Sequence, residues 1–278
     1  MELVVRHQTT YLYATPASQV ALLLRLLPAA LDGQNPLQWA VSVNGTAVEA
    51  STPNAFGDGE AFFQLRGAVD EVVIVAAGRV ETQDRHGVVS GFRQEAPQAV
   101  FLRQTALTRP AGPILALAAA ARSADSLSSL HALSTLVRER VDYCPGATSM
   151  ASSAEEALAQ GRGVCQDHAH LFVSAARVLG IPARYVVGYL HAGEAAEALR
   201  ETHAWAEAWV QGLGWVGFDA TNGLCVTGHY VRLCCGLDAR DAAPVRGSVF
   251  GGPDITIYAD VRIAEGGADV PQQMQQQQ

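Results

Sequence analysis

The chain has 278 residues, 49% of them apolar, a net charge of −8, and no lysine among its nineteen basic residues. That length allows one large domain or two ordinary ones, and the acidic balance argues against nucleic acid, which needs a basic face. No apolar run reaches the roughly 20 residues of a membrane span, since VALLLRLLPAA is broken by Arg25 and Pro28, and MELVVRHQTTYLY does not read as a signal peptide, so a soluble, cytoplasmic protein is expected.

Residues 1–82 read as all-β. MELVVRH, LQWAVSVNG, AFFQLRG and DEVVIVAAGRVET are rich in branched and aromatic residues, and the turn clusters LDGQNP, NAFGDGE and RGAVDE separate them. This pattern suits an antiparallel β-sandwich. A linker-like stretch covers 83–111, including QDRHGVVSGFRQEAP. A second unit, 112–264, opens with helical signals. In DSLSSLHALSTLVRERVDY, Leu127, Leu130, Leu133, Leu136 and Val137 recur at helical spacing, with Asp125 or Ser126 placed to cap. SSAEEALAQG carries a capping box in Ser152 and Glu155 and ends at Gly161.

The next stretch is GRGVCQDHAHLFVSAARVLGIPARY. Ala169, Phe172, Ala176 and Leu179 form an apolar stripe, and Gly180-Ile181-Pro182 ends the helix. ARYVVGYL reads as a buried strand and HAGEAAEALRE as a loop or short helix. THAWAEAWV and GWVGFDATN both alternate with period two around the turn QGLG. HYVRLCCGLD and PDITIYADVRIAE are further strands, and the tail 265–278, ending PQQMQQQQ, reads as disordered. The fold class is therefore α+β.

Cys144, Cys165, Cys225, Cys234 and Cys235 make an odd count without CxxC spacing, which fits neither a disulfide framework nor a zinc ribbon. Cys165 differs from the rest in its position. At a helix N-terminus a thiol faces the positive end of the macrodipole and unpaired backbone N–H groups, which favour the thiolate and can receive an oxyanion. Gly161 and Gly163 permit the tight entry. His203 at the head of one strand and Asp219 near the end of the next supply a base and its orienter. In a hairpin, opposed residues have a constant sum, so His203 and Asp219 share a face only if that sum is even. An odd-length loop or a bulge near QGLG is therefore expected.

Rival roles exist for several neighbours. His168, three residues after Cys165, could pair with the thiolate but suits packing or a hydrogen bond behind the site, and His170 is expected to be partly exposed. Cys165, His168 and His203 lack a fourth zinc ligand at helpful spacing, so no metal and no cofactor are expected. Trp205 and Trp209 share the His203 face, and Trp205 is a candidate cleft residue; Trp39 and Trp215 suit core packing. Asp167 reads as a first-turn helix residue, Asn222 and His229 as weak site candidates, and Tyr143 or Gln160 as guesses for an oxyanion donor.

GRGVCQDHAHLFVSAARVLGIPARYVVGYL, THAWAEAWV and GWVGFDATNG resemble the core of bacterial transglutaminase-like proteins, relatives of the papain-like cysteine proteases. The resemblance places the family's cysteine, histidine and aspartate on Cys165, His203 and Asp219. RHQTTYLY, NAFGDG and GRVET resemble the β-sandwich that precedes this core in one bacterial subfamily, and HYVRLCCGLDARDAAPVRG a segment that follows it. His168 stands where an aromatic is usual, Ala220 where a proline often follows the aspartate, and Leu237 where an arginine is frequent. The resemblance implies a papain-like or transglutaminase-like core and thiolate attack on an amide carbonyl of a peptide or protein substrate. It further implies an acyl-enzyme resolved by water or by an amine, with hydrolysis favoured among bacterial relatives. A non-catalytic peptide-binding module is the contrasting reading.

Overall fold

The computed structural model describes residues 1–49, 53–193, 201–252 and 254–266. The branched and aromatic N-terminal residues form long strands: β1 (Glu2–Leu27), β2 (Gln34–Val43), β3 (Thr46–Val48) and β4 (Gly59–Thr82). AFFQLRG and DEVVIVAAGRVET are the two ends of β4, and VALLLRLL is the second half of β1. β1 and β4 pair antiparallel, with irregular register between Leu12 and Ala17 and between Ala17 and Gln19. Leu3 and Val5 before this break, and Val20, Leu22 and Leu24 after it, enter one apolar core. The expected antiparallel β architecture is thus assembled from few, long strands.

Two C-terminal strands join this sheet. β13 (Val245–Phe250) pairs with β1 between Gln19 and Leu24, and β14 (Ile255–Glu265) pairs with it between Leu3 and Tyr13. The sequence pattern places these residues, up to 264, in the second unit. The physical reason for the difference is that β1 has a second edge of N–H and C=O groups, and these strands satisfy it. Residues 267–278, most of the tail expected to be disordered, and 194–200, most of HAGEAAEALRE, lie outside the described residues.

The second sheet has the order β11-β10-β9-β8-β12, with β8 (Ala183–Leu190), β9 (His203–Val210), β10 (Gly214–Asp219), β11 (Leu224–Cys225) and β12 (Tyr230–Gly236), all antiparallel. Against β8 and β9 lies α4 (Cys165–Val178), with α1 (Gly112–Ala121), α2 (Ser126–Arg140) and α3 (Ala154–Gln160) packed around it. α4 is buried from Gln166 to Arg177, so its apolar stripe understates its enclosure. Asp125 caps α2 by accepting from the Ser128 N–H. The capping box of α3 falls on Ser153 and Glu156 rather than Ser152 and Glu155. The shift follows from competing partners, because the Ser152 N–H donates to Ser149 and the Glu155 carboxylate is held by the Ala111 N–H.

The stretch 83–111 is a packed seam rather than a loose linker. In it, β5 (Val88–Val89) pairs with β10, Phe101 is buried, and Gln94 Oε1 accepts from Arg184 and Trp215. Beneath it lies a buried charge network. Glu207 accepts from Arg184 at 2.6 Å and from Arg232 at 3.0 Å, Asp58 accepts from Arg232 at 2.6 Å, and Arg184 lies 4.0 Å over the Trp215 ring. Gln34 adds a backbone clamp, donating to the Arg232 carbonyl and accepting from the Arg232 N–H. The N-terminal unit thereby holds β12 at its outer side.

His170, expected to be partly exposed, is fully buried. It accepts from the Ala239 N–H and packs on Tyr185, because α4 is covered on that side by the segment after β12.

Removing Asp58 leaves the buried Arg232 with one carboxylate fewer, so Asp58→Ala is expected to cost about 3–5 kcal/mol in a urea titration. Burial lowers the pKa of His170 to about 4, an effect the Asp238 charge only partly opposes. A depressed histidine contributes stability that is present above the unfolded value of about 6.5 and is lost as pH falls through about 4. The thermal midpoint should therefore fall across that window, and less steeply in His170→Asn.

Candidate active site

Cys165 opens α4, and its approach is fixed locally. β6 (Asp142–Tyr143) and β7 (Arg162–Gly163) form a two-stranded parallel pair just before it. Gly161 ends α3 in the left-handed region with φ 65°. A Cβ on Gly163 would lie 2.8 Å from the Asp167 carboxylate, which curls back to accept from the Val164 N–H and from Thr148. Asp167 is therefore a structural first-turn residue. The N–H groups of Asp167 and His168 turn back to the Val164 carbonyl, which leaves the amides of Cys165 and Gln166 as the open donors at this helix head among the described residues.

β9 and β10 bring the other two residues to the same place. Their register pairs Gly214 with Val210 and Phe218 with Ala206, an even sum, through the odd-length turn 211–213. The expected parity holds, and Asp219 comes to the face of β9 that carries His203. His203 Nε2 donates to Asp219 Oδ2 at 2.7 Å, and Cys165 lies near enough to the same ring to bear on its protonation. With Nε2 committed to Asp219, Nδ1 is the ring nitrogen left for a second partner.

Burial alone would lower the pKa of His203. The hydrogen bonds and charges of Asp219 and Cys165 outweigh it and raise the value to about 10. Burial would likewise raise Asp219, but the hydrogen bond and charge of His203, with the side-chain hydrogen bonds of Asn222 and Tyr230, hold its pKa below the ordinary value. Oδ1 accepts from the Thr221 and Asn222 amides at 3.0 and 3.2 Å. Oδ2 accepts from His203, from the Asn222 side chain at 2.6 Å and from the Tyr230 hydroxyl at 2.7 Å. The site thus brings an imidazole bonded to a buried carboxylate into the neighbourhood of a thiol, the residue types of a nucleophile–base–orienter set.

His168 is excluded from that role by its own bonds. Its Nε2 donates to the Val141 carbonyl at 2.8 Å, so its Nδ1, at 2.9 Å, accepts from the Thr221 hydroxyl. Burial lowers its pKa, which keeps the ring neutral. Trp205 is buried against the His203 ring, with centroids 6.3 Å apart, rather than open to the cleft. Trp209 and Trp215 pack edge-to-face on each other, and Trp39 donates to the Leu26 carbonyl. His229 is exposed and stacks with His191. Gln160 is exposed at the end of α3, whereas Tyr143 is 52% exposed and lines the cleft beside His203. Sequence reasoning missed Tyr230. It lies in a strand that reads as core, and only an aromatic hydroxyl among apolar residues hinted at more.

A cleft of about 500 Å³ adjoins His203, lined among others by Arg138, Asp142, Tyr143, Leu190 and Asn222. Among the described residues, no group of three or more His, Cys, Asp and Glu side chains is arranged to hold a metal ion.

Residues 115–220 match the transglutaminase-like superfamily, and residues 3–81 match the bacterial transglutaminase-like N-terminal region. An uncharacterized protein of Mycobacterium leprae, ML0607, is 31% identical over 274 residues, covering 92% of this chain and 97% of that protein. The chain belongs to the transglutaminase-like superfamily. Cys165, His203 and Asp219 all fall inside the matched core. A second relative, Mb2599c of Mycobacterium bovis, also uncharacterized, is 32% identical over 151 residues, covering 50% of this chain and 48% of its own length. The fold is similar to that of a crystal structure described as a "putative cysteine protease" from Cytophaga hutchinsonii, with a TM-score of 0.74 and 23% identity. That match covers 97% of this transglutaminase-like chain and 92% of the other.

Replacing His203 by Ala removes the imidazole nearest in role to a base for Cys165. Iodoacetamide should alkylate Cys165 rapidly near neutral pH in the native protein and at least tenfold more slowly in His203→Ala. Cys225, whose pKa burial raises, should remain a slow site in both. Peptide mapping of the labelled cysteines checks this.

Proposed function

We propose that this protein is a transglutaminase-like thiol enzyme that cleaves amide bonds of peptides or proteins by hydrolysis. The observation that carries the reading is the His203 ring, bonded at 2.7 Å to a buried carboxylate and close enough to Cys165 for the two to influence each other's charge.

The chemistry follows from those atoms. The Cys165 thiolate attacks the amide carbonyl carbon, and the carbonyl π electrons move to oxygen. The open amides of Cys165 and Gln166 at the head of α4 are placed to receive that oxyanion, each such donor being worth roughly 3–4 kcal/mol in the transition state. When the tetrahedral intermediate collapses, the C–N bond breaks and the leaving nitrogen takes the proton carried by His203. The products are a thioester on Cys165 and a free amine. His203, now neutral, takes a proton from water, whose oxygen attacks the thioester; the C–S bond breaks and the acid leaves. Asp219 stays ionised throughout and steadies the imidazolium.

The chain contains no lysine, so apart from its own N-terminus the acyl acceptors in the test are the peptides' own amines and the amine that is added. Incubation with a mixed peptide library, with and without a primary amine, therefore separates the two fates of the acyl-enzyme by mass spectrometry. The expected outcome is products that gain water in both cases and vanish in Cys165→Ser. Products that gain the amine would make the protein a cross-linking acyltransferase. Absence of any product, with a slow Cys165, would favour a binding module.

A further inference from the structure

We propose that Tyr230 is a positioning residue of this site, a buried hydroxyl that fixes the Asp219 carboxylate so that its Oδ2 faces His203. The proposal deepens the thiol-enzyme reading and rests on it.

Tyr230 comes from an unexpected direction. Asp219 ends β10, and two strands, β9 and β8, separate β10 from β12 in the sheet. The phenol nevertheless reaches Asp219 Oδ2 at 2.7 Å. It does so by crossing Trp205, with ring centroids 5.4 Å apart and an interplanar angle of 79°, and it lies 6.1 Å from the His203 ring. Space for this crossing comes from Gly188 on β8. A Cβ there would lie 2.5 Å from the Trp205 ring and 2.1 Å from the Val231 carbonyl. The Trp205 indole therefore settles against β8 and supports both the imidazole and the phenol.

The strand that carries Tyr230 is itself held in place from outside the catalytic sheet. Two residues on, Arg232 has its backbone clamped by Gln34 and its guanidinium shared by Asp58 and Glu207. Asp58 also accepts from the Cys235 N–H. The motif NAFGDG, to which the proposed chemistry assigns no role, thus contributes the carboxylate that anchors β12. The N-terminal unit acts on the site by setting where β12, and with it the Tyr230 hydroxyl, must lie.

The bond does chemical work because Oδ2 is the oxygen that receives the imidazole. A carboxylate rotated about its Cβ–Cγ bond would offer His203 a different oxygen or none. Asn222 restrains the same oxygen from the loop after β10, while Tyr230 restrains it from β12. The charged or titratable groups facing Asp219 are His203 from β9, Tyr230 from β12 and the neutral His168 from α4, with Arg138 of α2 held on the Thr221 carbonyl.

Tyr230→Phe keeps the ring and removes only the hydroxyl. The test is the rate of Cys165 alkylation by iodoacetamide against pH, with kcat and KM measured on a peptide that the native enzyme cleaves. Without the hydroxyl, Asp219 takes up a proton more readily. The acid limb of the alkylation profile should then move up by about one pH unit, and kcat should fall roughly 3- to 10-fold with KM unchanged. Asn222→Ala, which removes the other restraint on that oxygen, should shift the acid limb in the same direction. A Tyr230→Phe profile that superimposes on the native one, with native kcat, overturns the proposal even if the variant melts at a lower temperature. If the native protein itself shows no fast alkylation, the thiol-enzyme reading fails first and the proposal falls with it.

Discussion

The hydrogen bond between His203 and Asp219 is the constraint to which the rest of the molecule is fitted. Burying an imidazole disfavours its charge, and burying a carboxylate disfavours its own. Each becomes affordable only because the other is 2.7 Å away and because Thr221, Asn222 and Tyr230 satisfy the remaining acceptor capacity of the carboxylate. A half-satisfied version of this cluster would be worse than an apolar core. The surrounding architecture can be understood as what keeps it complete: a three-residue turn that sets the hairpin parity, a glycine that admits Trp205, and an outer strand anchored from the other sheet.

The two sheets are mechanically one object. The N-terminal sheet is completed by strands from the far end of the chain. It reaches the catalytic sheet through Asp58 and Gln34, and the seam formed by 83–111 covers the buried arginines. Substituting well-packed apolar residues for such a network could be as stable, so its retention fits a positional purpose: it fixes the register and outward side of β12. Cys165 depends on a separate device, the crossing of two short parallel strands into the head of α4. Cys165 and His203 are therefore supplied by independent parts of the core, one by the head of a helix and the other by the head of a strand.

Much of the site was legible in the sequence because its residues obey local rules. A glycine-flanked cysteine before an apolar helix announces a helix head, and two alternating segments joined by a glycine turn announce a hairpin whose parity can be reasoned from residue numbers alone. What the sequence concealed is non-local. Nothing near residues 245–265 says that they pair with β1 rather than with neighbouring strands, since edge satisfaction depends on what the fold leaves open. His170 read as half-exposed because helical spacing gives its direction but not what covers it. The capping box slipped by one residue because Ser152 and Glu155 found partners beyond the local segment. Tyr230 was invisible for the same reason, its partner lying two strands away.

The central claim is that His203 is held as an imidazolium between Asp219 and Cys165. The most direct measurement is nitrogen-15 NMR of the His203 ring as pH is raised, in the native protein and in Cys165→Ser. The account predicts a ring that stays protonated until pH approaches about 10 and loses its proton at lower pH once the sulfur is gone. A ring that titrates near the ordinary value of about 6.5, unchanged by the loss of Cys165, would contradict it.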